Sequence, residues 1–433
     1  MEISGADTGW VLVSTALVLL MTPALALFYG GLVRSKNVLS TFMHSFFALA
    51  LVTVLWVVVG YSLAFAPSLG GAGIIGGFDH AFLAGVGLEP REGQTIPHLL
   101  FCAFQLMFAI ITPALISGAF AERVKFGAYA VFTVLWSLLV YCPLAHWVWG
   151  PGGWLATRGA LDFAGGTVVH LSSGASALVF AMLLGPRLGY PRQKMLPHNL
   201  TMTMLGAGLL WFGWFGFNAG SALAANGLAA LALVNTHVAA AAGALSWAVV
   251  EWIRHGKPSA LGAASGLLAG LVAVTPAAGF CGPVAAMGLG LTAGVVCYLG
   301  VLLKHRFQYD DALDAFGVHG LGGAFGAVAT GVIASTAWNP AGQDGLLFGG
   351  VSLFLENILS VLVAGLYAAG VSFVLLKAID RVMGLRPDAE IEHEGLDVAM
   401  HGEEAYATVG GTMRPVIERE HAMDAELEPA PAE

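Results

Sequence analysis

The sequence predicts an all-α fold, a polytopic membrane protein of eleven transmembrane helices, on composition, on recurrent apolar runs and on the placement of positive charge. Of 433 residues, 57% are hydrophobic and only 10% charged, with a mean hydropathy of +0.79. Soluble domains carry about a quarter charged residues, so this chain is too apolar to be one. Its runs approach or exceed the roughly 20 residues that cross a hydrocarbon core of about 30 Å. They are continuously apolar, without the alternation of a lipid-facing strand, which argues for helices rather than a barrel.

The runs fall at 10–33, 38–66, 98–120, 126–150, 163–185, 199–220, 228–253, 259–278, 282–303, 315–335 and 348–376. No basic stretch precedes the first, and that run is long, so it reads as a span and not a cleaved signal peptide. Arg34 and Lys36 follow the first run, Arg123 and Lys125 the third, Arg187, Arg192 and Lys194 the fifth, and Arg254 and Lys257 the seventh. Lys304 and Arg306 close the ninth, and Lys377, Arg381, Arg386, Arg414 and Arg419 follow the eleventh. These are 16 of the 18 basic residues; only Arg91 and Arg158 fall on the other side. Positive charge collects on the cytoplasmic side, so the N-terminus is expected outside and the tail in the cytoplasm, in a multi-pass inner (plasma) membrane protein.

Two regions follow: a transmembrane domain, 1–377, and a cytoplasmic tail, 378–433, which holds 14 of the 27 acidic residues. An acidic segment of that kind is expected to be solvated and partly disordered, or to dock a protein. Cys102, Cys142, Cys281 and Cys297 show no CxxC spacing and read as buried small hydrophobes, with no metal site. Gly71-Ala72-Gly73-Ile74-Ile75-Gly76 matches GxGxxG but sits in an external loop, without the strand and helix a nucleotide site needs. Asp310-Asp311-Ala312-Leu313-Asp314 resembles the aspartate-rich motif of membrane prenyltransferases, which use two such clusters where this chain has one. Small-xxx-small pairs such as Gly216/Gly220, Gly266/Gly270, Gly290/Gly294 and Gly322/Gly326 read as helix packing. Nothing points to an enzyme, a cofactor or nucleic acid.

Ionisable groups left inside the membrane are functional candidates, because each is costly there. Asp162 stands at the mouth of the fifth run, as an N-cap or as a cap that also lends negative potential to a cation site. His170 follows eight residues later, about 12 Å along a helix axis. His319 lies in the tenth run. Five spans separate the two histidines, so their segments run in opposite directions, as an inverted repeat of spans one to five and six to ten requires. The halves cover about 10–185 and 199–335, with the eleventh helix, 348–376, added. His44 and His237 break this symmetry and read as packing residues. His146, beside Trp147 and Trp149, reads as part of an interfacial belt. Glu356 is left without an assigned role, pairing at a subunit contact being one reading of it.

At these residues the sequence resembles the ammonium transporter (Amt/MEP/Rh) family, on its microbial Amt branch. The stretches that carry the likeness are Phe28-Tyr29-Gly30-Gly31-Leu32-Val33-Arg34, Ala121-Glu122-Arg123, and Asp162-Phe163-Ala164-Gly165-Gly166-Thr167-Val168-Val169-His170. Gly213-Trp214-Phe215-Gly216-Phe217-Asn218-Ala219-Gly220-Ser221, Phe316-Gly317-Val318-His319-Gly320 and Glu394-Gly395-Leu396-Asp397-Val398 continue it. The resemblance implies a homotrimer with one pore per subunit. It implies an outer ammonium site of Phe108, Trp149 and Ser221 near Asp162, a gate of Phe104 with Phe108 or Phe217, and His170 and His319 in an apolar pore. Ammonium would lose a proton outside, cross as ammonia and regain one inside. Whether the proton also crosses separates an electrogenic transporter from a gas channel, and both stay open. A PII-type signalling protein is the implied partner at the cytoplasmic face. An ammonium sensor with little flux and an Rh-type gas channel are the alternatives. Leu106 and Met107 are larger than the family pattern leads one to expect.

Overall fold

A computed structural model describes residues 2–406. Eleven apolar helices cross it in order: α1 (Gly5–Leu32), α2 (Ser35–Phe65), α3 (His98–Phe120), α4 (Phe126–Arg158), α5 (Gly166–Leu184), α6 (Leu200–Gly220), α7 (Gly227–His255), α8 (Ala260–Val274), α9 (Pro283–Phe307), α10 (Phe316–Ile333) and α11 (Val351–Met383). Ten are long and apolar enough to cross a membrane, while α8 has only 15 residues. The expected span 259–278 is shortened: Pro276 has no N–H to donate to the Val272 carbonyl, and residues 275–281 turn back. α4 breaks between Gly150 and Gly153 before a last turn, Trp154–Arg158.

The glycine pairs lie where helices touch. α1 runs along α6, and a Cβ on Gly216 would fall 2.7 Å from Ser14 O and 2.6 Å from Leu17 Cβ. A Cβ on Gly266 would meet Trp247 Cβ at 2.5 Å, and one on Gly290 would meet Ala239 Cα at 2.7 Å. In lipid, where helices associate by packing, such contacts hold the bundle together.

Two expectations need correction, and Glu356 gains a partner. His146 and Trp147 are buried instead of belted at an interface: His146 shares a 2.6 Å hydrogen bond with Ser68 Oγ and another of 3.0 Å with Ala64 O, and so ties down the 66–77 loop. Glu356 pairs within the chain, its Oε2 accepting from Arg158 Nε at 2.7 Å. The tail is not wholly solvated either, because its first part packs against the loops of one face through α12 (Ala389–Glu394) and α13 (Leu396–His401). The Asp397 carboxylate caps the start of the 38–55 helix, accepting from Leu39 N at 3.0 Å and Ser40 N at 2.8 Å. Glu392 accepts from Leu188 N at 2.8 Å. Each satisfies backbone donors that a helix or loop end leaves free. The rest of the expected tail, 407–433, lies outside the described residues.

Candidate functional site

α5 and α10 begin alike. The Asp162 carboxylate accepts the N–H groups of Gly165 and Gly166 at 2.7 Å, Thr167 at 2.8 Å and Val168 at 3.4 Å, and the Thr167 hydroxyl at 2.5 Å. This is the expected cap, in a form that absorbs the whole carboxylate. Asp311 does the same for α10, accepting from Ala315 at 3.0 Å, Phe316 at 2.8 Å and Gly317 at 3.4 Å. Each cap opens a wide π-helical turn, Gly166–Leu171 and Phe316–Gly320, that carries a histidine. Such turns concentrate at functional sites. The sequence held the signal for Asp311, since it precedes His319 by eight residues as Asp162 precedes His170; the neighbouring aspartates hid it.

The two helices cross at van der Waals limits through glycines four residues beyond each histidine. A Cβ on Gly323 would lie 2.7 Å from Gly166 O and 2.8 Å from His170 Cβ. One on Gly174 would lie 2.9 Å from His319 C and closer still to Gly320. The crossing brings His170 Nδ1 to 3.3 Å from His319 Nδ1, with the rings 5.4 Å apart and inclined by 20°. One Nδ1 carries the proton and donates while the other accepts. His170 is held flat by Trp214 at 5.3 Å and Phe217 at 5.9 Å, and Trp214 is anchored by donating to Thr275 Oγ1 at 2.9 Å.

Both histidines line a narrow passage of about 10 Å³ whose other walls include Met21, Phe28, Val169, Trp214, Phe217 and Leu268, room for about one water molecule. Beyond it on the N-terminal face lies a cavity of about 200 Å³ lined in part by Phe108, Trp149 and Ser221. Phe108 and Phe217 stand between cavity and passage with ring centres 4.3 Å apart. Trp149 is 6.0 Å from Phe108, and its Nε1 donates to the Asp162 carbonyl at 3.0 Å. The Ser221 hydroxyl donates to Phe217 O at 2.8 Å, which leaves its own oxygen able to accept. On the tail face His319 also borders a cavity of about 190 Å³ with Tyr29, Ser265, Lys304 and Asp314; Lys304 and Asp314 form an ion pair there.

Thus Phe108, Trp149 and Ser221 share one cavity, Phe108 and Phe217 meet below it, and His170 and His319 meet below them. Phe104 is fully buried 5.0 Å from Phe108 and lines none of these three spaces. Asp162, Leu106 and Met107 line none of them either. Sequence reasoning missed Arg91, Phe101, Gln105 and Phe163 in the first cavity, because they come from a loop and from helix positions with no periodic signature.

A sequence profile described as Ammonium Transporter Family matches residues 9–406. An ammonium transporter of Bacillus subtilis is 54% identical over 402 residues, covering 92% of this chain and 98% of that protein. The crystal structure of Saccharomyces cerevisiae Mep2 superposes with a TM-score of 0.87 at 36% identity, covering 96% of this chain and 94% of that one. A structure described as Sensor Amt Protein superposes with a TM-score of 0.85 at 29% identity, covering 92% and 98%.

Proposed function

The chain belongs to the ammonium transporter family, a family of transporters and not of enzymes, and on that premise we propose how it moves ammonium across the membrane. Ammonium is recruited at Phe108, Trp149 and Ser221, loses a proton, passes His170 and His319 as neutral ammonia, and regains a proton in the opposite cavity. The observation that carries this reading is the passage of about 10 Å³ between two larger cavities, whose walls are apolar apart from the histidine pair and the Trp214 N–H.

Taking an unpaired ion into such a passage carries a desolvation penalty of several kcal/mol even after relaxation. Ammonia avoids it and keeps a hydrogen bond to imidazole. At the recruitment cavity the aromatic faces attract any small cation, by about 2 kcal/mol or more when desolvated. Ser221 supplies what potassium cannot use, an acceptor for N–H. Phe108 over Phe217 forms the gate, with Phe104 behind it. Asp162 acts by capping α5, and since both its oxygens already accept hydrogen bonds, the departing proton goes to water of the cavity or onward through the histidine pair.

The positive charge of the tail face orients that face to the cytoplasm and the N-terminus outward across the plasma membrane. The working unit is a homotrimer, checked by the mass of the purified protein in detergent. The cytoplasmic loops and tail receive a PII-type signalling protein, and failure to capture one under nitrogen excess would count against that partner.

The deciding experiment pulses ammonium onto the protein in sealed proteoliposomes, with sodium and potassium as controls. An ammonium-specific current means that charge crosses with the nitrogen. Internal alkalinisation without current means ammonia conduction. Silence in both overturns transport and favours the second reading, a sensor, which the likeness to Sensor Amt Protein raises.

A further inference from the structure

The cavity on the N-terminal face contains a positive charge of its own. Arg91 and Arg158 are the two basic residues assigned to that face, and they are handled differently. Arg158 is paired with Glu356 at 2.7 Å. Arg91 has no carboxylate within ion-pairing distance among the described residues. Its guanidinium carbon instead lies 4.7 Å from the centre of the Phe101 ring and 5.7 Å from that of Phe65. Phe65, Arg91 and Phe101 line the same cavity as Phe108, Trp149 and Ser221. The cavity therefore has five aromatic side chains: Phe65 and Phe101 are already faced by a cation of the chain, and Phe108, Trp149 and Phe163 are not.

Resting on the recruitment reading above, we propose that Arg91 is a specificity-determining residue of this cavity. It fills the Phe65/Phe101 half, where aromatic faces would hold any monovalent cation without distinction. A mobile cation is then confined to the half that contains the Ser221 hydroxyl. The fixed charge also repels incoming cations and raises the ammonium concentration needed for half-saturation. A guanidinium suits this role because it stays ionised when partly buried and stacks on aromatic faces.

The test measures half-saturation by ammonium, and inhibition by potassium, in proteoliposomes containing wild type, Arg91→Gln, Arg91→Lys or Ser221→Ala. Screening lengths are about 30 Å at 0.01 M and about 10 Å at 0.1 M ionic strength, so each variant is run at both. Arg91→Gln should lower half-saturation roughly twofold to tenfold at low salt, by less at high salt, and make potassium a stronger inhibitor. Arg91→Lys, which keeps the charge, should stay near wild type. If Arg91→Gln does not assemble, Arg91→Met, which keeps the apolar stem, serves in its place. Half-saturation unchanged by Arg91→Gln at low salt, or shifted equally at both salts, would overturn the proposal. If Ser221→Ala also leaves half-saturation unchanged, the recruitment reading itself falls.

Discussion

His170 and His319 share one hydrogen bond across 3.3 Å, and His170 Nε2 is buried without any other partner. Neither ring is replaceable by an apolar side chain if ammonia must find an acceptor midway. His170→Ala and His319→Ala are each expected to lower ammonium flux at least about tenfold, the weight of a lost hydrogen bond of roughly 1.4 kcal/mol. The double variant should be no worse than either single one, because the rings act as a unit. Initial ammonium uptake rates check this, and an additive loss would break the pairing argument. On the proposed recruitment reading, Ser221→Ala removes the acceptor of the N-terminal-face cavity and should raise half-saturation by about tenfold on the same scale, while inhibition by potassium stays nearly constant.

At the scale of helices, the pairing depends on how α5 and α10 start and where they cross. Gly323→Ala puts a methyl 2.7 Å from Gly166 O, where backbone cannot yield as a flexible side chain would, so the helices must part and the rings with them. Flux per folded molecule should collapse in Gly323→Ala and Gly174→Ala. Gly290→Ala, equally tight against Ala239 but remote from the histidines, should lose thermal stability and keep its flux per folded molecule. Comparing uptake with the folded fraction by size-exclusion chromatography separates the two results. The caps belong to the same argument: Asp162→Ala frees four backbone N–H groups and should destabilise the protein by about 2 kcal/mol, at the upper end for a lost N-cap. Asp311→Ala should do likewise, read in both cases as a lower unfolding midpoint in detergent.

Across the whole molecule, the tail face is joined by a buried ionic network. Glu122 accepts from Arg34 N at 2.7 Å, Asn37 Nδ2 at 3.2 Å and Arg187 Nη1 at 3.2 Å. Arg187 also holds Asp310 at 2.9 Å, and Asn37 Oδ1 accepts Leu396 N of the tail at 2.8 Å. Burial raises the Glu122 pKa, but Arg187 and Arg34 more than offset it and hold the carboxyl below its ordinary 4.5. The network is therefore at full strength above about pH 4.5 and weakens as pH falls through the lowered value. Glu122→Gln leaves Arg34 without a carboxylate while Arg187 keeps Asp310, so the cost stays below the roughly 3–5 kcal/mol of a fully broken buried pair. The variant should expose 388–401 to protease and lose the Glu122 share of the acid-side dependence of stability, while Asp310, also held below its ordinary value, keeps its own. Protection equal to wild type would mean that the tail is held independently of Glu122.

Hydropathy and charge placement were enough, in the sequence alone, to determine the all-α class and the run of apolar helices and to single out His170 and His319, because the bilayer imposes length and sign on each segment separately. Asp162 was legible as a cap for the same local reason, and the glycine pairs as packing. Only the tertiary structure decided that His146 is buried, that the 389–401 segment packs against the loops of the tail face, and that Arg91 lies over Phe101 in the cavity on the N-terminal face. Each of these depends on contacts between residues far apart in the chain, where a side chain's meaning is set by what the fold brings against it and not by the pattern around it in sequence.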